Sequence, residues 1–471
     1  MLVIDTIEKS PTMPGFIAYL FQPVKQDCMD VEEFVRRRVG KGVADTAIEQ
    51  SLKDHIIAIK GRETDPAYAA ELARAVIAEV KNTQDLSGDF FAMEEAGVHM
   101  GEFGVGSRGK GDFFAHREIA RIIGKTGASV GVDEMDDAGA VKDGRNYLVC
   151  TVDGMHSRLS DFPFLAGFHV TRATLRDLYV MGARPVMLFS DIHVADDGDV
   201  AKIFDYTAGV TTVGEATDVP LVTGSTLRIG GDMVLGSRMT GCVGAVGIAE
   251  HLTARKSMQP GDVLMMSEGA GGGTIATAAI YSGFPDVVEY TINLNFIAAC
   301  KALMDDPVFP RVHAMTDVTN GGLRGDAFEM AETAGCRVVV DEEATQDLVE
   351  PHVRAMLEEL RIDYLGVSLD SLLVVAPSDA APAICRAAGS AGVAMHAIGR
   401  VEKGAAESVL VTGGTEHSFA PRFRESAYTP VKKVVDTRAK DFDAMKTEVR
   451  RASDAAIAKK RRVLEKLKKM A

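Results

Sequence analysis

"MTDVTNGGLRGDAFEMAETAG", residues 315–335, sets a carboxylate, a hydroxyl and a glycine pair (Asp317, Thr319, Gly321 and Gly322) directly ahead of a run with helical periodicity. Glycines at a helix start leave backbone N–H groups bare and allow close approach, either of a ligand or of another helix. "GAGGGT", Gly269 to Thr274, has the same grammar: it follows the strand pattern "DVLMMSE" and opens a helix whose first amides lack partners.

Working outward, short β-branched runs alternate with helical patterns from about Gly101 onward. The strand candidates include "NYLVCTVD", "ARPVMLFSDIHV", "DMVLGSRMTGCVGAVGIA", "CRVVVDEE", "SLLVVAPS" and "HAIGRVE". Between them lie "HVTRATLRDLYVMG", "IFDYTAGVTTVGEAT" and "DAAPAICRAAGSAG", each with an apolar face at helical spacing. The alternation predicts an α/β (α+β) fold. Pro260-Gly261 marks a seam, so one domain is expected over 98–255 and a second over 256–412. Residues 1–97 read as a helical extension, with Asp30 and Glu33 at capping-box spacing in "DVEEFVRRRV", and 413–471 as a basic helical tail.

A chain of 471 residues exceeds one core, and its 46% hydrophobic and 25% charged residues are those of an ordinary globular protein. Acids near the N-terminus and the lack of a long apolar run point to the cytoplasm and to no membrane partner. Six cysteines stand singly, without C-x-x-C spacing, which argues against a disulfide framework or a thiolate zinc site; Cys28 is the one expected to be exposed. A net charge of −15 disfavours nucleic acid as the main partner. The segment from Val431 onward departs from this with roughly +8, so a docked helix, a protein partner or an anionic ligand is open there. Its apolar stripe is expected at Val449, Ala456, Leu464 and Leu467.

"GVDEMDDAGAV", residues 131–141, packs Asp133, Glu134, Asp136 and Asp137 into five positions. Like charges about 5 Å apart repel by about 3 kcal/mol at an effective dielectric near 20, so the cluster either faces water or holds a cation. Asp153 closes the apolar run "YLVC", and Asp177 lies beside Arg176 on a half-apolar helix.

"GEFGVGSRGKGDFFAHREIARIIG", residues 101–124, contains G-x-G-x-x-G at Gly104, Gly106 and Gly109, but no hydrophobic strand precedes it, which argues against a dinucleotide site. A loop whose bare amides close over phosphates with Arg108 and Lys110 fits better, and Asp112 is expected to cap the helix that follows.

In order, "DDAGAV", "TVDG", "TLRDLYVMGARPV", "LVTGST", "GDVLMMSEGAGGG", "MTDVTNGGL" and "SLLVVAPS" resemble the superfamily of aminoimidazole ribonucleotide (AIR) synthetase, which includes selenophosphate synthetase, thiamine-monophosphate kinase and the hydrogenase-maturation dehydrating protein. The resemblance covers about residues 100–412. It implies a two-domain fold whose N-terminal domain joins a partner's in a shared barrel, hence a homodimer, with ATP and Mg2+ as cofactors. Carried over by motif, the metal-holding residues are Asp136 or Asp137, Asp153 and Asp177. Asp317, Lys110 and Arg108 are the catalytic candidates; Gly104, Gly106, Gly109, Gly224, Ser225, Thr226, Thr319, Gly321 and Gly322 are the nucleotide-binding ones. The implied reaction is transfer of the γ-phosphate to an oxygen or similar nucleophile of a small-molecule substrate.

There are departures. Ser225 stands where the family pattern has an acid, leaving that contact absent or passed to Asp232, and Arg176 replaces an asparagine in "RDL". These leave a non-catalytic nucleotide-binding scaffold as the alternative. Specificity is expected in loops such as "MHSRLSDFPFLAGFH" and the stretch around Asn293 and Asn295; His156, Ser157 and Arg158 either meet a substrate phosphate or shape a turn.

Overall fold

The computed structural model describes residues 29–61, 63–107, 109–319, 321–425, 427–436 and 441–470. Cys28 and Arg108 therefore lie outside the described residues. The chain divides into two compact units.

One unit comprises residues up to Gln84 together with Val194–Asp199 and Arg228–Arg238, so it ends short of residue 97 and takes in two loops from far along the chain. Its helices are Val31–Val39, Asp45–Lys60 and Pro66–Asn82. Asp30 caps the first by accepting the Glu33 N–H at 2.9 Å, the first half of the expected capping box. Ile48, Leu52 and Ile56 recur every four residues and meet Ala69, Ala73, Val76 and Val80, which recur at three and four. Lys60 closes the unit on the inserted loop, donating to Asp196 at 2.6 Å and Asp197 at 2.9 Å. Asp232 pairs with Arg228 in this unit and does not line the cavity described below.

The other unit carries two sheets. The five-stranded sheet has the order Gly139–Asp143, Asn146–Gly154, Met239–Ala249, Arg184–Val194, Leu221–Arg228. The helices Pro163–Val180 and Ala201–Thr217 pack together on it. Their crossing depends on glycine: a Cβ on Gly167 would stand 2.2 Å from the Tyr206 carbonyl oxygen, and one on Gly209 equally close to that of Phe164. The apolar residues Val141, Leu148, Val152, Val186 and Val222 of the strands remain exposed.

The seven-stranded sheet has the order Thr415–Ser418, Glu407–Thr412, Arg337–Asp341, Met395–Glu402, Asp262–Ser267, Leu372–Pro377, Ala314–Asp317. Of the neighbouring strand pairs in this sheet, only Arg337–Asp341 with Glu407–Thr412 is parallel. "LLVVA" at 372–376 is buried throughout, because helices and neighbouring strands cover both faces; Leu373 and Val375 join Leu264, Met266, Val338, Val340 and Ile398 in one core.

The basic tail forms the helix Phe442–Met470, which lies on the helix Lys110–Ile123. Its buried positions are Met445 and Ser453, while Leu464 and Leu467 of the expected stripe are exposed. Its cations bind within the chain: Arg450 to Glu118 at 2.8 Å, Arg462 to Asp89 at 2.7 Å, and Lys460 to the last carbonyls of the helix it lies on, at 2.6 and 3.0 Å. Among the described residues no helix is long and apolar enough to cross a membrane.

Candidate active site

A cavity of about 700 Å3 opens in the unit that carries the sheets. Separate pieces of chain wall it.

The glycine-rich segment contributes Val105, Gly106, Asp112 and His116. Gly104 and Gly106 take positive φ, +80° and +81°, which glycine alone adopts without strain. Asp112 is not the N-cap of the helix Lys110–Ile123. That helix starts two residues earlier, and Asp112 accepts the Gly106 N–H at 2.9 Å, which folds the loop back on the helix. Gly109 lies against Phe423, with a Cβ position 2.4 Å from its carbonyl oxygen. Lys110 is exposed, donates its backbone N–H to Arg422, and does not line the cavity; nor do Gly104 and Gly109.

The acidic stretch contributes Asp136 and Asp137. The compensating cation demanded by this cluster is Arg255, which is 1% exposed. Its Nη2 bonds Asp137, its backbone N–H donates to Asp136 at 3.0 Å, and its Nη1 reaches Glu329 at 2.9 Å. Thr316 donates to the other oxygen of Asp137 at 2.7 Å. Lys256, next in the chain, holds Glu134 at 2.8 Å. Burial, with Asp137 beside it and Arg255 opposing, pushes the Asp136 carboxyl up to about 7.

The strand Asn146–Gly154 and the helix Pro163–Val180 form the floor. Alternation along the strand turns Thr151 and Asp153 the same way, and His169, Val170, Ala173, Arg176 and Asp177 share a face of the helix. Thr151 donates to Asp177 at 2.8 Å. Burial raises the Asp177 carboxyl well above the ordinary range, and Asp153, Asp317 and Asp137 add to the rise.

The second sheet's side contributes Gly273, Thr274, Thr319, Ser368 and Asp370. The helix Gly273–Ser282 begins without a side-chain cap. His156 lies against it, so close that a Cβ on Gly273 would stand 2.4 Å from the imidazole Cδ2. Burial pulls the His156 pKa down to about 4, which leaves the ring neutral at pH 7. Arg176 joins the two sides: rather than pairing with its neighbour Asp177, it forms ion pairs with Asp317, at 3.0 Å, and with Asp370. Burial opposes ionisation of Asp370, but Arg176 and Arg172 outweigh it and hold the carboxyl low. Arg172 also binds the carbonyls of Thr291 at 2.7 Å, Asn293 at 2.8 Å and Gly271 at 2.9 Å, tying the second-domain loops to the helix.

Thus Gly106, Asp136, Asp137, Asp153, Asp177 and Thr319 meet in one cavity. Asp317 is fully buried behind Arg176. Gly224, Ser225 and Thr226 lie exposed on the last strand of the five-stranded sheet, away from the cavity lining. Gly321 and Gly322 start their helix at positive φ, and Gly322 abuts the Leu365 carbonyl, a packing role. Asn293 and Asn295 line a separate cavity of about 150 Å3 with Glu268 and Glu350, and of the "HSR" stretch only His156 faces the larger one. Sequence reasoning missed Arg255, Asp370 and His169, which carry no local motif. Arg176 was visible only as a departure from a pattern.

Known proteins are similar to this chain. Residues 135–249 match the model of the AIR synthase related protein N-terminal domain, and residues 259–412 that of the C-terminal domain. An uncharacterized protein of Methanocaldococcus jannaschii is 50% identical over 93% of this chain and 98% of its own length. The carbamoyl dehydratase HypE of Rhodobacter capsulatus is 30% identical over 53% of this chain and 70% of its own. Among solved structures, the hydrogenase maturation protein HypE in complex with ATP superposes with a TM-score of 0.51 at 20% identity, over 67% of this chain and 96% of that one. The two domain models together span more than half of the chain, and on that ground it belongs to the AIR synthase-related family.

Proposed function

We propose that this protein is an ATP-dependent enzyme that moves the γ-phosphate of ATP onto an oxygen, or a comparable nucleophile, of a small molecule, working as a homodimer. One observation carries the reading: aspartates from distant points of the chain, a glycine-rich loop and a helix start from the second domain converge on a single cavity large enough for a nucleotide and a small substrate. A relative is named a carbamoyl dehydratase, and a structure of the same fold is described as a complex with ATP.

Mg2+ fits Asp153 and Asp177 better than the acid pair first suggested by the sequence. Both oxygens of Asp137 are already held by Arg255 and Thr316, whereas Asp177 is crowded by carboxylates, a strain that a cation relieves. Among the described residues no group of three or more His, Cys, Asp or Glu side chains is poised around one ion. That agrees with an ion held by one or two carboxylates, with phosphate oxygens and water completing its shell. When bound, Mg2+ neutralises phosphate charge. The chain itself supplies the amides of the glycine-rich loop to hold the nucleotide, and walls that align the acceptor and exclude water. The exposed apolar face of the five-stranded sheet is the surface through which two copies would join.

The test is thermal unfolding with ATP, with and without Mg2+. ATP raises the midpoint only when Mg2+ is present, and Asp153→Asn abolishes the rise. A rise independent of Mg2+, or one unchanged in that variant, overturns the assignment.

A further inference from the structure

The tail helix Phe442–Met470 and the helix Lys110–Ile123 lie side by side and point the same way. Glu118 meets Arg450 at 2.8 Å, Arg121 meets Asp454 at 2.6 Å, and the Ile123 carbonyl accepts from Lys460 at 3.0 Å. The shorter helix stops at Ile123, so the tail from Arg461 onward, about 15 Å of helix, runs beyond that support. A second segment comes to the same end. Glu94 pairs with Arg451, the Ala92 carbonyl accepts from Lys459, and Asp89 pairs with Arg462 at 2.7 Å, an order that runs antiparallel to the helix. The segment turns at Gly88, where φ is +107° and the carbonyl accepts the Phe91 and Ala92 N–H groups at 3.1 and 3.0 Å.

That end is both apolar and basic. Phe90, Phe91 and Met93 at and just after the turn are 66, 61 and 75% exposed, and Leu464 and Leu467 on the helix 45 and 56%. Exposed apolar side chains are ordinary when scattered, but gathered at one end they mark a contact surface. From Lys459 to Lys469 the helix carries seven Lys and Arg against one Glu, in a chain whose net charge is −15. Arg461, Lys466, Lys468 and Lys469 are exposed and meet no carboxylate among the described residues; Lys466 lies instead 5.3 Å from the centre of the Phe90 ring.

We propose that the projecting end of the tail helix, with the turn 88–91 beside it, is a docking surface for an anionic lipid bilayer. Its charge is opposite to that of acidic headgroups, and each flanking Lys or Arg gains from the surface potential of such a membrane. The phenylalanine and leucine side chains sink to the boundary of the acyl chains, while the cations stay at the lipid phosphates. Single-stranded nucleic acid would use the cations and bare aromatic faces, but it gains little from Leu464, Leu467 and Met93, and the Phe90 ring already has Lys466 beside it. A bilayer uses both kinds of side chain. Among the described residues no helix is long and apolar enough to cross a membrane, so the contact is peripheral. None of these residues lines the cavity, and the inference goes beyond the transfer proposed above without depending on it.

The test is co-sedimentation of the full chain with vesicles of phosphatidylcholine alone and of phosphatidylcholine mixed with phosphatidylglycerol. The wild type is expected to pellet with the mixed vesicles and not with the neutral ones, and high salt is expected to release it. Phe90→Ser with Phe91→Ser, and separately Lys468→Glu with Lys469→Glu, are each expected to weaken the binding on the order of 10-fold or more. These four side chains are exposed, so both double variants are expected to keep the wild-type unfolding midpoint, which certifies their fold. Failure of the wild type to pellet, equal pelleting with neutral vesicles, or full binding by either double variant overturns the inference. So does a different occupant: single-stranded RNA bound more tightly than the mixed vesicles and lost in the same variants, or self-association of the wild type, read as a larger mass in solution that both variants lose.

Discussion

Nη1 of Arg255, which leaves the first sheet domain, lies 2.9 Å from the carboxylate of Glu329 on the helix Gly322–Ala334 of the second. The same guanidinium bonds Asp137, so one buried side chain spans both walls of the cavity. Removing it would leave Asp137 and Glu329 buried without their cation. Arg255→Met is expected to destabilise the protein by about 3–5 kcal/mol, the range for breaking a buried ion pair from one side. Urea unfolding measures this, and a loss below about 1 kcal/mol would show that the acids find other partners.

Asp136 links the cavity to pH. Its folded pKa, about 7, lies above the ordinary 3.8, so its contribution to stability is fully present below about pH 4 and is lost as the pH rises through 7. At about 1.4 kcal/mol per unit the loss approaches about 4 kcal/mol. Asparagine resembles the protonated form and does not titrate. The stability of Asp136→Asn relative to the wild type is therefore expected to rise between pH 4 and pH 8, as read by denaturant unfolding at each pH. A constant difference across that range would mean that Arg255 keeps Asp136 ionised throughout.

The tail helix supports the wall that carries the glycine-rich loop. Arg450 reaches Glu118, a carboxylate 3% exposed, and Phe442 packs 5.7 Å from Phe103 and 5.0 Å from Phe423. Arg450→Ala leaves Glu118 with Arg121 as its remaining cation and is expected to cost about 1–3 kcal/mol. Limited proteolysis should then cut the segment 89–109 sooner than in the wild type. Unchanged protection would separate the tail from the cavity wall.

Much of the site was legible beforehand, because its parts have short-range signatures. Asp153 ends an alternating strand, Asp177 falls on a helix face, and Gly106 lies in a loop rich in positive-φ glycine; local pattern is enough to suggest each. Asp136 and Asp137 were legible as a cluster in want of a cation, but not as partners of Arg255, which lies 118 residues beyond Asp137. Ser225 and its neighbours were placed in the site by motif and lie elsewhere, because strand order sets Leu221–Arg228 at the far end of its sheet.

Periodicity and punctuation, which depend on neighbours along the chain, determined the alternation of strands and helices, the family and the candidate aspartates. Charge pairing was decided only by the tertiary structure. Which carboxylate meets a guanidinium, and which is left crowded among its own kind, depends on Å-scale distances between segments that the chain order keeps far apart, and on burial that strengthens each such contact. Arg176 shows the difference: its sequence neighbour is Asp177, yet folding turns it to Asp317 and Asp370.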